Sequence, residues 1–457
     1  MKRLAGFGAL LLALTLAALA MHIPGEETVG TPARKAIFVA LLAIAACVYF
    51  ATVSLSLRQK LPVRSLYVVL VVATAMRLPV LLSPAFLSTD IYRYVWDGRV
   101  QAAGINPYLY VPADPVLAGL RDDAIYPNIS RAEYAPTIYA PAAQLVFAAT
   151  ALVSDNVLAT KSVMVIFEVL AVACLWRLLS IAGLPTSRVL IYAWNPLPVW
   201  DFAGNGHVDA VAIGLIALAM LLRVRQRNGF AGIALGAAML VKFFPVAIAP
   251  AFWRARTGWK LTGATIATIL ALYAIYAGAG WKLLGFLGGY VAEENLDTGS
   301  GLWLLAGLGR LFKVPPIAHT LYFGFVVVAL AATGAWFAFR RQPSAGSSAD
   351  AIALSCAVAV LMAGATVAVS PHYPWYFAWL ALPCVVRPLR SVLWLSASPV
   401  LLYLDPFNER FVWASLVYLP ALALAVLDFR RPLPLLFQPV KESLDVRDNA
   451  ARPATLF

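Results

Sequence analysis

Residues 36–57 read AIFVALLAIAACVYFATVSLSL, an apolar run without a charged side chain that ends directly before Arg58. A helix of this length spans the ~30 Å hydrocarbon core of a bilayer. Comparable apolar runs recur along the chain, at 4–22, 65–83, 157–182, 189–200, 208–222, 230–253, 260–278, 316–339, 350–369, 375–386, 391–404 and 411–428. The sequence therefore predicts an all-α polytopic membrane protein, a helical bundle of about 12–14 transmembrane segments.

The composition of the whole chain agrees with this prediction. Of its 457 residues, 62% are hydrophobic and 12% are charged, whereas a soluble domain carries about 25% charged residues. A large soluble domain is excluded. We expect a single transmembrane domain over residues 1–431, in which 84–140 form a first large periplasmic loop with juxtamembrane helices, and a short cytoplasmic tail at 432–457.

The net charge of +13 comes from small basic clusters at the ends of apolar runs, which is typical of topology-setting charge and not of a nucleic-acid surface. Counting crossings between these clusters predicts an inner (plasma) membrane protein with cytoplasmic termini. The outward-facing segments are then 84–140, 201–208, 279–302, 370–376 and 405–410.

Two apolar runs do not fit a simple crossing. Residues 141–154 are too short to span the bilayer, so we expect a half-membrane helix there. Residues 230–253 have cytoplasmic basic residues, Arg227 and Arg254, at both ends. This run must enter the membrane and return, and Pro245 predicts a helix break at Lys242–Pro245.

The first outer loop carries polar residues at helical spacing, which would share one face of a helix. They are Asp90, Arg93, Asp97 and Gln101, and Arg131 and Tyr139 follow later in the loop. Carboxylates accept hydrogen bonds from hydroxyls, arginine pairs with phosphate, and aromatic rings cover sugars. The pattern favours binding of a sugar and a phosphate. The alternative is an interfacial amphipathic helix.

Other outer segments hold further candidates. His207 and Asp209 could bind substrate or a metal, although a clear third metal ligand is missing. Alternatively, Asn205 or Asp209 could cap a helix. Lys242 would be an intramembrane cation, for which a bound phosphate explains the charge better than a fixed ion pair. The alternative is a side chain that snorkels to the interface. The aromatic segment 370–376, with His372 and Tyr373, could bind substrate or could form an aromatic belt at the membrane interface. The acidic residues near 293–297 are expected to be solvated.

The order and sidedness of these motifs resemble the C-type (GT-C) membrane glycosyltransferases, in particular the family 87 mannosyltransferases that use polyprenyl-phosphate mannose. The matching stretches, within residues 65–380, are Asp90, Gly104–Tyr108, Tyr134–Pro141, Gly204–Ala210 and Leu240–Pro245.

The resemblance implies an inverting glycosyltransferase of the cell envelope. We expect no cofactor and assign no metal ligand, and the sequence leaves metal dependence open. Asp90 would be the general base, and Asp97 would be the second acidic residue of the family, although its spacing is unusual. The expected partners are a polyprenyl-phosphate sugar, a glycan or glycolipid acceptor and membrane lipids, but no nucleic acid. The expected substrate-binding residues are Arg93, Asp97, Arg131, Tyr139, Asn205, His207, Asp209, Lys242, His372 and Tyr373.

Two other functions fit the same sequence. A transporter or flippase for a lipid-linked sugar would also have many spans, a broken helix and intramembrane charge, although transporters commonly contain repeats that this chain lacks. A sugar-binding assembly partner without catalysis is the third hypothesis. Catalysis would be favoured if Asp90 faced an outer cavity together with Lys242 and His207.

Overall fold

A computed structural model describes residues 1–22, 31–59, 61–404 and 411–430. The expected tail at 432–457 and the outer segment at 405–410 lie outside the described residues. The α-helices, numbered along the chain, are α1 (Lys2–Leu19), α2 (Pro32–Arg58), α3 (Ser65–Leu82), α4 (Asp90–Ala102), α5 (Pro141–Ala151), α6 (Val157–Ile181), α7 (Leu190–Ala193), α8 (Pro196–Pro198), α9 (Asp209–Val224), α10 (Asn228–Met239), α11 (Gly258–Ile275), α12 (Leu287–Glu293), α13 (Trp303–Leu311), α14 (Ile317–Phe339), α15 (Ser348–Val369), α16 (Ala381–Cys384), α17 (Arg390–Leu395) and α18 (Val412–Arg430).

Among the described residues, eight helices are long and apolar enough to cross a membrane. They are α1, α2, α3, α6, α11, α14, α15 and α18. The predicted all-α polytopic fold is confirmed. The predicted 12–14 segments are reached only when shorter and broken helices are counted as well, such as α5, α10 and Arg390–Leu404.

Several runs expected to be simple spans are interrupted and buried in the protein interior. The run at 189–200 contains α7, α8 and the start of a π-helix at Val199–Gly204. The run at 375–386 forms a 3-10 helix, Pro374–Leu380, followed by α16. Prolines interrupt the helical hydrogen bonding in both runs, and irregular backbone is tolerated at depth where protein surrounds it.

The predicted return of the run at 230–253 is confirmed. Helix α10 ends at Met239, and a 3-10 helix, Phe244–Phe252, begins after the break. Arg223, at the end of α9, and Arg254, after the 3-10 helix, both reach Asp350, with Nη1–Oδ2 distances of 2.9 and 3.3 Å. The two ends of the run therefore lie together.

The turn of this run lies at the opposite end of α9. Lys242 contacts Asp209, the first residue of that helix, whereas Arg223 belongs to its last turn. Helix α9 has 16 residues and is thus ~24 Å long. The run at 141–154 forms α5, which has 11 residues and is ~16 Å long, as its shortness predicted.

Candidate active site

A cavity of about 630 Å³ opens at the end of the bundle where α4 begins. Four parts of the chain line it: the first outer loop, the break after α10, the segment around α12, and the aromatic segment after α15. The lining residues are Leu87, Ser88, Thr89, Asp90, Arg93, Ser130, Arg131, Ala135, Pro136, Ile138, Tyr139, Ala140, Val241, Lys242, Phe243, Phe244, Phe286, Leu287, Tyr290, Glu294, Tyr373, Trp375 and Tyr376.

Asp90 is the first residue of α4, and its side chain keeps 31% of its surface exposed in the cavity. A helix N-terminus favours a carboxylate, because its free N–H groups carry partial positive charge. Burial nevertheless raises the pKa of the Asp90 carboxyl, and the positive charges of Lys242 and Arg131 oppose the rise.

Two buried side chains fix the segment that leads into Asp90. Lys161 Nζ donates to the carbonyl oxygens of Val80, at 3.0 Å, and Ser83, at 2.6 Å, and so caps the end of α3. Asn205 Oδ1 accepts a hydrogen bond of 3.0 Å from the backbone N–H of Leu87. The position of Asp90 is thus set by α6 and by the turn before α9.

Asp97 is not among the residues that line the cavity. Its side chain is buried and accepts hydrogen bonds from Arg93 Nε at 2.8 Å, Thr137 Oγ1 at 2.5 Å and Gln144 Nε2 at 2.8 Å. These contacts join α4 to the end of the outer loop and to α5. The geometry describes a structural junction and not a second acid facing a substrate.

Lys242 lines the cavity, and it forms the fixed ion pair that we expected to explain its charge less well than a bound phosphate. Its Nζ lies 2.7 Å from Asp209 Oδ2 and 4.2 Å from the centre of the Tyr376 ring. Asp209 also accepts a 2.7 Å hydrogen bond from Trp379 Nε1. The pair forms because the turn after α10 returns to the first residue of α9.

The acidic residues expected to be solvated also contribute to the site. Glu293 Oε2 lies 2.5 Å from Arg131 Nε, and Glu293 Oε1 accepts a 2.9 Å hydrogen bond from Tyr134. Glu294 lines the cavity, and burial raises the pKa of its carboxyl. Segment 286–294 is therefore part of the cavity wall.

The residues expected to bind substrate divide into two groups. Arg93, Arg131, Tyr139, Lys242 and Tyr373 line the cavity together with Asp90. The others, Asp97, Asn205, His207, Asp209 and His372, lie outside its wall; His372 Nε2, for example, is 3.0 Å from the carbonyl oxygen of Gly301.

The structure adds lining residues that the sequence did not single out. The hydroxyl groups of Tyr290 and Tyr376 lie 2.8 Å apart across the cavity wall. Trp375 and Tyr376 belong to the aromatic segment noted in the sequence, whereas Tyr290 follows a glycine pair and carries no comparable signal.

Metal binding by the His207–Asp209 pair finds no support in this geometry. Asp209 is occupied by Lys242 and Trp379. Among the described residues, no group of three or more His, Cys, Asp or Glu side chains could hold a metal ion.

Residues 4–258 match a family model described as "Alpha-(1->6)-mannopyranosyltransferase, N-terminal domain". This chain belongs to that family. The prediction of a family 87-type GT-C mannosyltransferase relative is confirmed, and the chain is an integral membrane protein.

A relative from Mycobacterium tuberculosis, named alpha-(1->6)-mannopyranosyltransferase A, is 28% identical over 330 residues. The match covers 66% of this chain and 61% of the relative, so the chain spans about three fifths of that protein's length. No solved structure matches the chain.

Proposed function

We propose that this protein is an inverting mannosyltransferase that transfers mannose from a polyprenyl-phosphate donor to a glycan or glycolipid acceptor, with Asp90 as the general base. The observation that carries the proposal is the carboxylate of Asp90, exposed in a large cavity beside Lys242, Arg93 and Arg131. Family membership and the name of the relative support mannose as the sugar and α-(1→6) as the linkage.

The reaction needs a base and a site for a leaving phosphate. The acceptor hydroxyl attacks the anomeric carbon of mannose and gives its proton to Asp90, while the bond from that carbon to the phosphate oxygen breaks. The polyprenyl phosphate leaves with the electron pair and needs cations instead of an acid. Because the reaction inverts, an α-linked product requires a β-linked donor.

Lys242 is the best-placed cation for the donor phosphate. An ammonium has three N–H donors, and the contact with Asp209 uses one of them. The side chain is 15% exposed and lines the cavity, so its remaining donors can reach a ligand. Lys242 can therefore bind a phosphate oxygen while it keeps its ion pair.

The distribution of positive charge supports a cavity on the outer face of the membrane. Arg223, Arg225 and Arg227 lie at the end of α9 opposite Asp209, and Arg254 joins them there through Asp350. Basic residues gather on the cytoplasmic side of membrane proteins. Nucleotide sugars are found in the cytoplasm, so an enzyme whose cavity faces the periplasm or the outside needs a donor carried by a lipid. A periplasmic or external cavity therefore agrees with a lipid-linked donor.

The test is mannose transfer by the purified protein in detergent, from labelled polyprenyl-phosphate mannose to an oligomannose acceptor. Asp90→Asn should fold and lower turnover by ~10²–10⁴-fold, the usual effect of losing a general base. Asp123→Asn, at an exposed carboxylate of the same loop, is the matched control and should match the unmodified protein. Near-normal turnover by Asp90→Asn would refute the assignment of the base.

The flippase alternative predicts a different result. In vesicles without acceptor, a flippase would move the labelled donor from one leaflet to the other. Movement of the donor without transfer in the presence of acceptor would replace the proposed enzyme by a transporter.

A further inference from the structure

His207 lies directly behind Asp90 and outside the cavity wall. The side chain is fully buried, and its Nδ1 is 3.6 Å from Asp90 Oδ2. Neither ring nitrogen has a hydrogen-bond partner among the described residues. A buried N–H group without a hydrogen-bond partner is unfavourable. The carboxylate within reach of the His207 ring is that of Asp90, the proposed base.

The imidazole is held by its flat face, so its edge points in a fixed direction. His207 stacks on Trp375, with ring centroids 4.0 Å apart and planes at 20°. Trp375 stacks in turn on Tyr373, with centroids 4.5 Å apart. Tyr373 and Trp375 line the cavity, so the stack connects His207 to the wall that a substrate would touch.

Gly206 sets the approach of His207 to Asp90. Its φ of +69° lies in the left-handed region, which strongly favours glycine. A Cβ at this position would lie 2.4 Å from Ile91 Cδ1 and 3.0 Å from Lys161 Cγ. The turn can pass close to α4 only because this residue has no side chain.

We propose that His207 is a positioning residue for Asp90: its Nδ1–H donates to Asp90 Oδ2 in the substrate-bound enzyme, which leaves Oδ1 to accept the acceptor's proton. The proposal rests on the proposed function, in which Asp90 is the base. The distance of 3.6 Å is longer than the upper limit of about 3.2 Å for an N–H···O bond, and catalytic hydrogen bonds that are long without substrate often tighten when it binds. His207 keeps its proton throughout, and the proton from the acceptor goes to Asp90.

The charges around the pair agree with a neutral imidazole that donates. The charged groups that face Asp90 are Lys242 and Arg131, which stabilise its anion, and Asp209, which opposes it. Burial lowers the pKa of His207, and the positive charge of Lys242 lowers it further. A neutral ring beside a carboxylate acts as a hydrogen-bond donor and not as a second base.

Three variants at His207 test the role of Nδ1. In His207→Asn the amide nitrogen can take the place of Nδ1, in His207→Gln it reaches toward Nε2 instead, and His207→Phe keeps a ring to stack but donates nothing. His319→Phe, at a partly buried histidine on α14 outside the cavity lining, is the control. The measurements are kcat, KM and the pH dependence of kcat with labelled polyprenyl-phosphate mannose and an oligomannose acceptor.

We expect His207→Phe to lower kcat by about 10- to 100-fold, the scale of one hydrogen bond to a charged group, with little change in KM. The acidic limb of kcat, which reports the substrate-bound enzyme, should move to higher pH, because the carboxylate loses a donor that favours its charged form. His207→Asn should stay within a few fold of the unmodified protein, and His207→Gln should behave like His207→Phe. Equal activity of Asn and Gln, or an unmoved limb in His207→Phe, would refute the proposal.

A double variant separates this proposal from the assignment of Asp90. If His207 acts through Asp90, adding His207→Phe to Asp90→Asn should cost no further activity. Full activity of Asp90→Asn would overturn the proposed base itself. Loss in Asp90→Asn, combined with normal kinetics in His207→Phe, would overturn only the role of His207.

Discussion

Replacing Lys242 by methionine tests the ion pair at the turn after α10. The change leaves the Asp209 carboxylate fully buried, with Trp379 Nε1 as the hydrogen-bond donor that remains to it. Removing one partner of a buried pair costs about 3–5 kcal/mol. Because Lys242 is 15% exposed in the cavity, we expect a loss near the lower end, about 3 kcal/mol.

The double variant Lys242→Met with Asp209→Asn separates stability from donor binding. Asparagine at position 209 keeps an oxygen that accepts from Trp379 but carries no charge. Since replacing both partners of a pair can be nearly neutral, the double variant should recover most of the lost stability. It should not recover donor affinity, because the ammonium proposed to bind the phosphate is still absent.

The assay combines denaturation in detergent with the dependence of transfer on donor and acceptor concentration. The expected pattern is a raised KM for the donor in both variants, an almost unchanged KM for the acceptor, and low stability in the single variant alone. Normal donor affinity in the double variant would mean that Lys242 only holds the fold and that the phosphate binds elsewhere. Normal stability in the single variant would mean that the ion pair contributes little.

Three further predictions follow from other parts of the structure. The acidic limb of kcat/KM should lie above the ordinary carboxyl range, because burial raises the pKa of Asp90 and the base works only when it is ionised. Activity should therefore fall as the pH drops through that raised pKa. An acidic limb near pH ~4 would contradict this prediction. Asp97→Asn should lower stability by about 1.5–3 kcal/mol through weaker bonds to Arg93 and Thr137, as measured by denaturation, and unchanged stability would argue against a structural junction. A cysteine at the exposed position 123 should react with an impermeant thiol reagent in intact cells, whereas a cysteine at Gln226 should react only after permeabilisation. The reverse labelling pattern would show that the protein has the opposite orientation in the membrane.

The course of the chain around Lys242 shows how far the sequence leads. Pro245 predicts the break, and Arg227 and Arg254 predict that both ends of the run lie on one side. The structure confirms the break and brings the two ends of the run together at Asp350. The partner of Lys242 was missed, because the contact with Asp209 depends on how the turn after α10 sits against the first residue of α9, which periodicity does not encode.

Some apolar runs expected to be simple spans are broken segments for a related reason. A run such as 375–386 is apolar on all sides, which suits a helix in lipid and equally a broken segment surrounded by protein. The length of α14, 23 residues, identifies it as a simple span, whereas the length of these short runs does not separate a span from a broken buried segment. Prolines in or directly before these runs, such as Pro383 and Pro374, are the local signal that separates the two cases.

The pairing of each cavity cation with a carboxylate has a consequence for turnover. Arg93 pairs with Asp97, Arg131 with Glu293, and Lys242 with Asp209. The proposed donor is a phosphate diester, and the product that leaves is a monoester with an additional acidic oxygen, so unpaired cations would hold the product more tightly than the donor. Carboxylates beside the cations reduce that preference and favour release, whereas the developing charge in the transition state still meets N–H donors already in place. On this argument, neutralising Glu293 should slow product release before it affects donor binding.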